Sequence, residues 1–271
     1  VVTVPRAGED EHVVGRAASL ALDAEGQPHI AFLDEDLGVV KVARKSSDGR
    51  WAVERVTTCE PDQAPGRIER EMGRSLGMVL DQRGGEWLAM RDPCSGKLQL
   101  AYRSNSTWSL IALDAGPDAG TWLSAALDPK GNLAVAYHDR ASGSLNYAWN
   151  DDGSVRTMVL DDGLEAGDRG ALLQRVVGSH CHLIYGSDGQ AIIAYLDAAR
   201  QDLRLVHGDP VSGFSEPEIL MDEGPVGLFG VIVPADDHLC LGTFRYGRTL
   251  DGQGDGRVVW TDKALVDGSL R

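Results

Sequence analysis

Residues 120–160 read GTWLSAALDPKGNLAVAYHDRASGSLNYAWNDDGSVRTMVL, and four further stretches of the chain repeat the pattern. Within this copy there are four short runs: Trp122–Asp128, Asn132–Asp139, Ser144–Asn150 and Val155–Leu160. Leu133, Val135 and Tyr137 alternate in the second run, and Leu145, Tyr147 and Trp149 in the third. Apolar alternation at period two, broken by Asp, Asn and Gly, predicts strands joined as consecutive hairpins. The Asp-Pro-Lys-Gly connection suits a tight reversal, because glycine accepts the positive φ that such turns require.

The units are 18–57, 74–113, 120–160, 179–221 and 227–262. The residue ending the second run is Asp34, Asp92, Asp139, Asp197 and then Arg245, at steps of 58, 47, 58 and 48 residues. Four strands at this period predict an all-β chain, a five-bladed β-propeller of four-stranded antiparallel blades, in one domain over residues 1–271. The fifth unit offers three runs, Phe229–Val233, Leu239–Phe244 and Arg257–Thr261. The N-terminal strand, Val1–Val4 followed by Pro5, is therefore expected to complete the last blade and close the ring, which removes exposed edges. The alternative donor is Lys263–Val266. Ile68–Met72 and Ala171–Val177 are read as helical turns, and the Gly-rich Gly247–Gly256 as a mobile insertion.

A formal net charge of −15 excludes the basic footprint of a nucleic-acid binder and disfavours anionic membrane surfaces. Nothing approaches the ~18 apolar residues of a membrane-inserted helix. The expected state is a monomer. Four cysteines match no zinc spacing. Cys59 and Cys94 fall on loops of one face, where a disulfide would indicate an oxidising compartment, so export to the periplasm or the extracellular space is expected. Cys181 and Cys240 sit within strands and are read as buried thiols.

In an up-and-down blade, the start of the innermost strand and the loop after the second strand share one face. Those starts read Gly15-Arg16, Gly73-Arg74, Gly120-Thr121-Trp122, Gly178-Ser179-His180 and Gly224-Pro225. Arg16, Arg74, Trp122, His138, Asp139, His180 and Arg245 are the predicted lining of a polar axial funnel. Paired arginines chelate carboxylates or phosphates, or else each pairs with a recurrent aspartate between blades. Recurrence of Asp34, Asp92, Asp139 and Asp197 favours turn capping over catalysis. No cofactor is expected; the alternative is a metal held by His138, His180 and His182. His12, His29, His207 and His238 carry no functional reading. Nucleophile-elbow, phosphate-loop, dinucleotide and zinc-protease motifs are absent from the sequence.

The turn Ser46-Ser47-Asp48-Gly49-Arg50-Trp51, with Asn150-Asp151-Asp152-Gly153 at the same point of the third unit, resembles the Asp-box turn of sialidase-type propellers. The wider pattern is similar to repeats of exported bacterial propeller proteins. Sialidases carry an Arg-Ile-Pro segment and six blades, whereas this chain has no Arg-Ile-Pro and five units. Five-bladed glycoside hydrolases place three acidic residues near the axis, a role the recurrent aspartates would imitate. The leading expectation is a binding module for a small polar ligand, a glycan or a partner protein's loop. The second is a glycan-active hydrolase or lyase using funnel carboxylates with His138 or His180.

Overall fold

The computed structural model describes residues 14–57, 76–92, 95–113, 116, 118–151, 153–167, 171–235, 238–248, 254–266 and 269–270. Val1–Val4, Ile68–Met72, Arg74, Cys59 and Cys94 lie outside the described residues, and Arg16 is described by its backbone alone.

Among the described residues, every regular element is a strand. Sheet one holds β1 (Val14–Leu22), β2 (Pro28–Asp34), β3 (Val39–Lys45) and β4 (Trp51–Arg55). Sheet two holds β5 (Leu76–Leu80), β6 (Glu86–Arg91), β7 (Leu98–Ser104) and β8 (Thr107–Ala112). Sheet three holds β9 (Ala119–Leu127), β10 (Leu133–Asp139), β11 (Ser144–Asp151) and β12 (Ser154–Asp161). A hairpin of β13 (Leu164–Ala166) and β14 (Leu172–Gln174) follows. Sheet four holds β15 (Val177–Tyr185), β16 (Ala191–Asp197) and β17 (Asp202–Asp209), its outer position divided between β18 (Gly213–Phe214) and β19 (Glu218–Met221). Sheet five holds β20 (Leu228–Pro234), β21 (His238–Arg248), β22 (Gly254–Val266) and β23 (Ser269–Leu270). Pairing within each sheet is antiparallel and follows chain order.

Two kinds of aspartate turn hold this pattern. Between first and second strands, Asp128 Oδ1 accepts the N–H groups of Lys130 and Asn132 at 2.8 Å, while Gly131 takes φ 83°. Asp23 and Asp81 accept in the same way. After the second strand, Asp34 accepts from Leu37 N, Asp92 from Ser95 N, Asp139 from Ala141 N, and Asp197 from Ala199 N and Arg200 N. The recurrent aspartates are thus turn acceptors. The sialidase-like turn is closed by Ser46 N donating to Arg50 O at 2.8 Å and by Arg50 N donating to Asp48 Oδ1 at 3.1 Å.

The sheets stack face to face in chain order, and four apolar clusters fill the joints. Leu33, Val42, Leu76 and Met90 fill the first, and Leu98, Leu123, Leu133 and Val135 the second. Ala136, Leu145, Tyr147, Ile193 and Tyr195 fill the third, and Ile192, Leu203, Leu205, Ile232 and Leu241 the fourth. A central sheet buries both faces, so β10 and β16 are buried almost throughout. The innermost strands pack as a row, β1 on β5, β5 on β9, β9 on β15 and β15 on β20. Side chains bridge this row. Ser19 Oγ accepts Met78 N and Ser124 Oγ accepts Leu183 N, each at 3.0 Å. His180 Nδ1 and His182 Nδ1 accept Phe229 N and Ile232 N, each at 3.1 Å. Backbone donors at the inner edges thereby find partners that a neighbouring strand would otherwise supply.

Four expectations change. Ala171–Val177 is not a helical turn: Leu172–Gln174 pairs with Leu164–Ala166, and Gly167 N donates to Ala171 O across the reversal. In the fifth sheet the ladder continues to Arg248 and Gly254, so Gly247, Arg248 and Gly254–Gly256 of the Gly-rich insertion extend two strands, and residues 249–253 lie outside the described residues. Lys263–Val266 belongs to the third strand of that sheet, and Ser269–Leu270 supplies the short fourth. Cys181 is buried as expected, but Cys240 is half-buried.

Candidate functional site

The starts of three inner strands share a distortion. In Gly15-Arg16-Ala17, Gly178-Ser179-His180 and Gly227-Leu228-Phe229 the third residue is left-handed, with φ of 52°, 54° and 52°. The ladder register breaks at each of these points. A bulge inserts one residue and re-aims the side chains around it. Holding a non-glycine residue there costs roughly 1–2 kcal/mol, so the surrounding packing must enforce it.

The bulges gather an aromatic cluster. Trp122 enters from β9, where the register to β10 also shifts. Its ring centroid lies 3.6 Å from that of His180, with the planes inclined by 33°. Phe229 meets His180 edge-on at 4.8 Å and Trp122 at 6.0 Å. Phe229 remains 57% exposed, so one aromatic surface of the cluster faces solvent. Tilted and edge-to-face contacts of this kind are the favourable geometries for rings with opposed quadrupoles.

Of the predicted lining residues, the structure brings Trp122 and His180 together. Phe229 is absent from the predicted lining because the sequence offers Gly224-Pro225 as the start of the fifth inner strand; the bulge glycine is Gly227, at φ 100°. The signal available was Gly followed by an aromatic at the third position, shared with Gly120-Thr121-Trp122 and Gly178-Ser179-His180. His138 is buried between sheets three and four, with Nδ1 at 2.8 Å from Val177 O. Burial holds its pKa below the ordinary value, so the neutral imidazole donates that bond. Asp139 caps its turn. Arg245, where the aspartate pattern breaks, sits with Nη2 at 3.6 Å from Glu223 Oε2.

A second polar site lies off this mouth, between sheets three and four. A cavity of about 580 Å³ is lined by Asp161, Leu164, Arg175, Arg204 and Glu216 among others. Asp197, fully buried, pairs there with Arg175 and with Arg204 Nε at 3.2 Å. Tyr195 OH donates to Asp161 Oδ2 at 2.7 Å. Burial and the Asp161 charge together push the Tyr195 phenol well above the ordinary tyrosine range.

His138, His180 and His182 do not form a metal-holding group; each spends Nδ1 on a backbone partner. Among the described residues, the group that brings three metal-type donors together is His238, Cys240 and Asp262.

No protein-family model and no curated protein matches the chain. Solved structures do. An exo-β-1,3-galactanase from Phanerochaete chrysosporium, with galactose, superposes with a TM-score of 0.53 at 10% identity. That match covers 95% of this chain and 62% of the galactanase chain. A Hadza microbial sialidase gives a TM-score of 0.54 at 14% identity, covering 93% of this chain and 56% of the other. The fold is a β-propeller. This chain spans less than two thirds of the length of either of these proteins.

Proposed function

We propose that this chain is a glycan-binding β-propeller of five blades, and that Trp122, His180 and Phe229 form the platform on which a sugar ring rests. The solvent-facing aromatic cluster, built where three inner strands bulge, carries this reading. An aromatic face beside convergent polar groups suits a ligand with one apolar C–H face and a polar rim. The galactanase and the sialidase that share the fold both act on glycans.

The five-bladed ring is supported by the two ends of the row. Leu20 and Leu22 point away from sheet two and are 61% and 60% exposed; Val258 and Trp260 point away from sheet four and are 61% and 58% exposed. Facing these two surfaces across the closing joint would bury both. Binding is preferred to hydrolysis because Asp34, Asp92, Asp139 and Asp197 are each engaged by turn N–H groups. A hydrolase needs two carboxyl groups flanking the scissile bond.

The test is titration calorimetry with galactose and β-1,3-galactooligosaccharides. Phe229→Ala and Trp122→Ala should each weaken binding at least tenfold, about 1.4 kcal/mol, with the melting temperature of Phe229→Ala unchanged. No glycan binding by the wild type, or equal binding by both variants, refutes the platform. Release of reducing sugar from the oligosaccharides would move the reading to the hydrolase.

A further inference from the structure

The fifth sheet carries a constellation unrelated to the aromatic mouth. His238 and Cys240 are two residues apart on β21 and so project to one face. Asp262 on β22 lies directly opposite Cys240 in the ladder. One donor atom from each of the three lies within 4.8 Å of the others. This is the face turned away from sheet four, since Leu239 and Leu241 point the other way into the fourth apolar cluster. It is also at the far end of the sheet from the mouth. Cys240 pairs with Val233 near the end of β20, whereas the mouth lies at Leu228. The next residue along that face is Gly242, and a Cβ there would meet the Trp260 ring at 2.4 Å. The Trp260 ring thus lies over Gly242, the neighbour of Cys240 on that face.

We propose that His238, Cys240 and Asp262 form a binding site for a zinc-class divalent ion. The donor set is one imidazole nitrogen, one thiolate sulfur and one carboxylate oxygen. A tetrahedral zinc ion, with bonds of about 2.0–2.3 Å, spaces its donors about 3.3–3.8 Å apart. The present spacing exceeds that range by at most about 1.0–1.5 Å, which the side chains must close on binding. The thiolate selects zinc, cobalt or copper over calcium and magnesium, which take all-oxygen shells. Three protein ligands leave a fourth position for water or an incoming ligand. On binding, the Cys240 thiol gives up its proton to solvent as the metal–sulfur bond forms. This face also carries Val258 and Trp260 and would meet sheet one in the proposed ring, so the fourth position would be open to water or to a donor from sheet one.

The experiment uses the full chain without a histidine tag, stripped with chelator and titrated first with Co²⁺ and then with Zn²⁺. The expected result is one Co²⁺ per chain with a thiolate-to-cobalt charge-transfer band, displaced by Zn²⁺. Cys240→Ser should abolish the band. His238→Ala and Asp262→Asn should each weaken Zn²⁺ binding at least tenfold with the circular dichroism spectrum retained. A charge-transfer band that survives in Cys240→Ser places the metal on other cysteines and overturns the site. So does an absence of stoichiometric binding by the wild type. Asp262 is exposed, so Asp262→Asn leaves the fold intact, and unchanged Zn²⁺ affinity in that variant also overturns the proposal.

Discussion

Removing the Asp197 side chain should be among the costliest single changes in this protein, and the structure says why. Its carboxylate is fully buried and serves two purposes. Oδ1 accepts Ala199 N and Arg200 N at 3.1 and 3.2 Å, and Oδ2 pairs with Arg175 and Arg204. The turn bonds lie at the surface of the sheet end and contribute about 1 kcal/mol. Deleting one partner of a buried ion pair costs about 3–5 kcal/mol, because the remaining charge stays desolvated. Arg175 keeps Glu165 Oε2 at 3.4 Å and Asp161 Oδ1 at 4.0 Å, which favours the low end of that range. Asp197→Ala should therefore lose about 4 kcal/mol. Asp139 occupies the same position one unit earlier and caps its turn through Ala141 N. Asp139→Ala should lose only about 1 kcal/mol. Urea unfolding of both variants at neutral pH measures the gap. Equal losses would show that the aspartate acts through its turn alone in both units, and that the buried arginines contribute nothing specific. A triple variant with Arg175→Met, Asp197→Ala and Arg204→Met should recover part of the loss, since apolar groups of similar size replace a buried ion cluster at little cost.

Gly77→Leu should destabilise by about 1–3 kcal/mol through overpacking, because even a Cβ at this site would sit 2.9 Å from Ala125 Cβ and 3.1 Å from Leu123 Cδ1; a melting temperature equal to wild type would mean that the inner strands are spaced more widely than described. The buried His138 gives a pH signature. Its folded pKa lies below the unfolded value of about 6.5, so below that pH the unfolded chain takes up a proton that the folded chain refuses, and stability falls as pH falls towards the folded pKa. His138→Gln should flatten the fall of the urea midpoint as pH drops below about 6.5 relative to wild type; parallel pH profiles would count against a neutral, buried imidazole.

The strands were legible because period-two alternation and aspartate–glycine turns agree at every level. Trp122–Asp128 and Ala119–Leu127, or Val155–Leu160 and Ser154–Asp161, differ by one to three residues at their ends. The β13–β14 hairpin was misread because Leu172, Leu173, Val176 and Val177 also match a helical spacing, and only the pairing of Leu164 with Gln174 decides between them. Two of the three rings of the mouth, Trp122 and His180, are visible in the sequence as aromatic or imidazole residues following a glycine. Phe229 was hidden by Gly224-Pro225, a plausible turn placed three residues too early. His138 and Asp139 were grouped as neighbours in sequence, yet consecutive strand residues point to opposite faces, and here one enters the core while the other caps a turn. His238, Cys240 and Asp262 depend on cross-strand register between β21 and β22, which no spacing rule within one strand can reveal.

The bridges along the inner strands make the units non-interchangeable. Serine hydroxyls tie the first sheet to the second and the third to the fourth, two imidazoles tie the fourth to the fifth, and between the second and third a bare glycine lets backbones nearly touch. Three kinds of joint occur along the row, and only the first and third are alike. A duplicated or transposed unit would meet a neighbour with the wrong acceptor or the wrong clearance. The order of the sheets is thereby written into their innermost residues, and a chain that looks periodic behaves as a sequence of unlike parts.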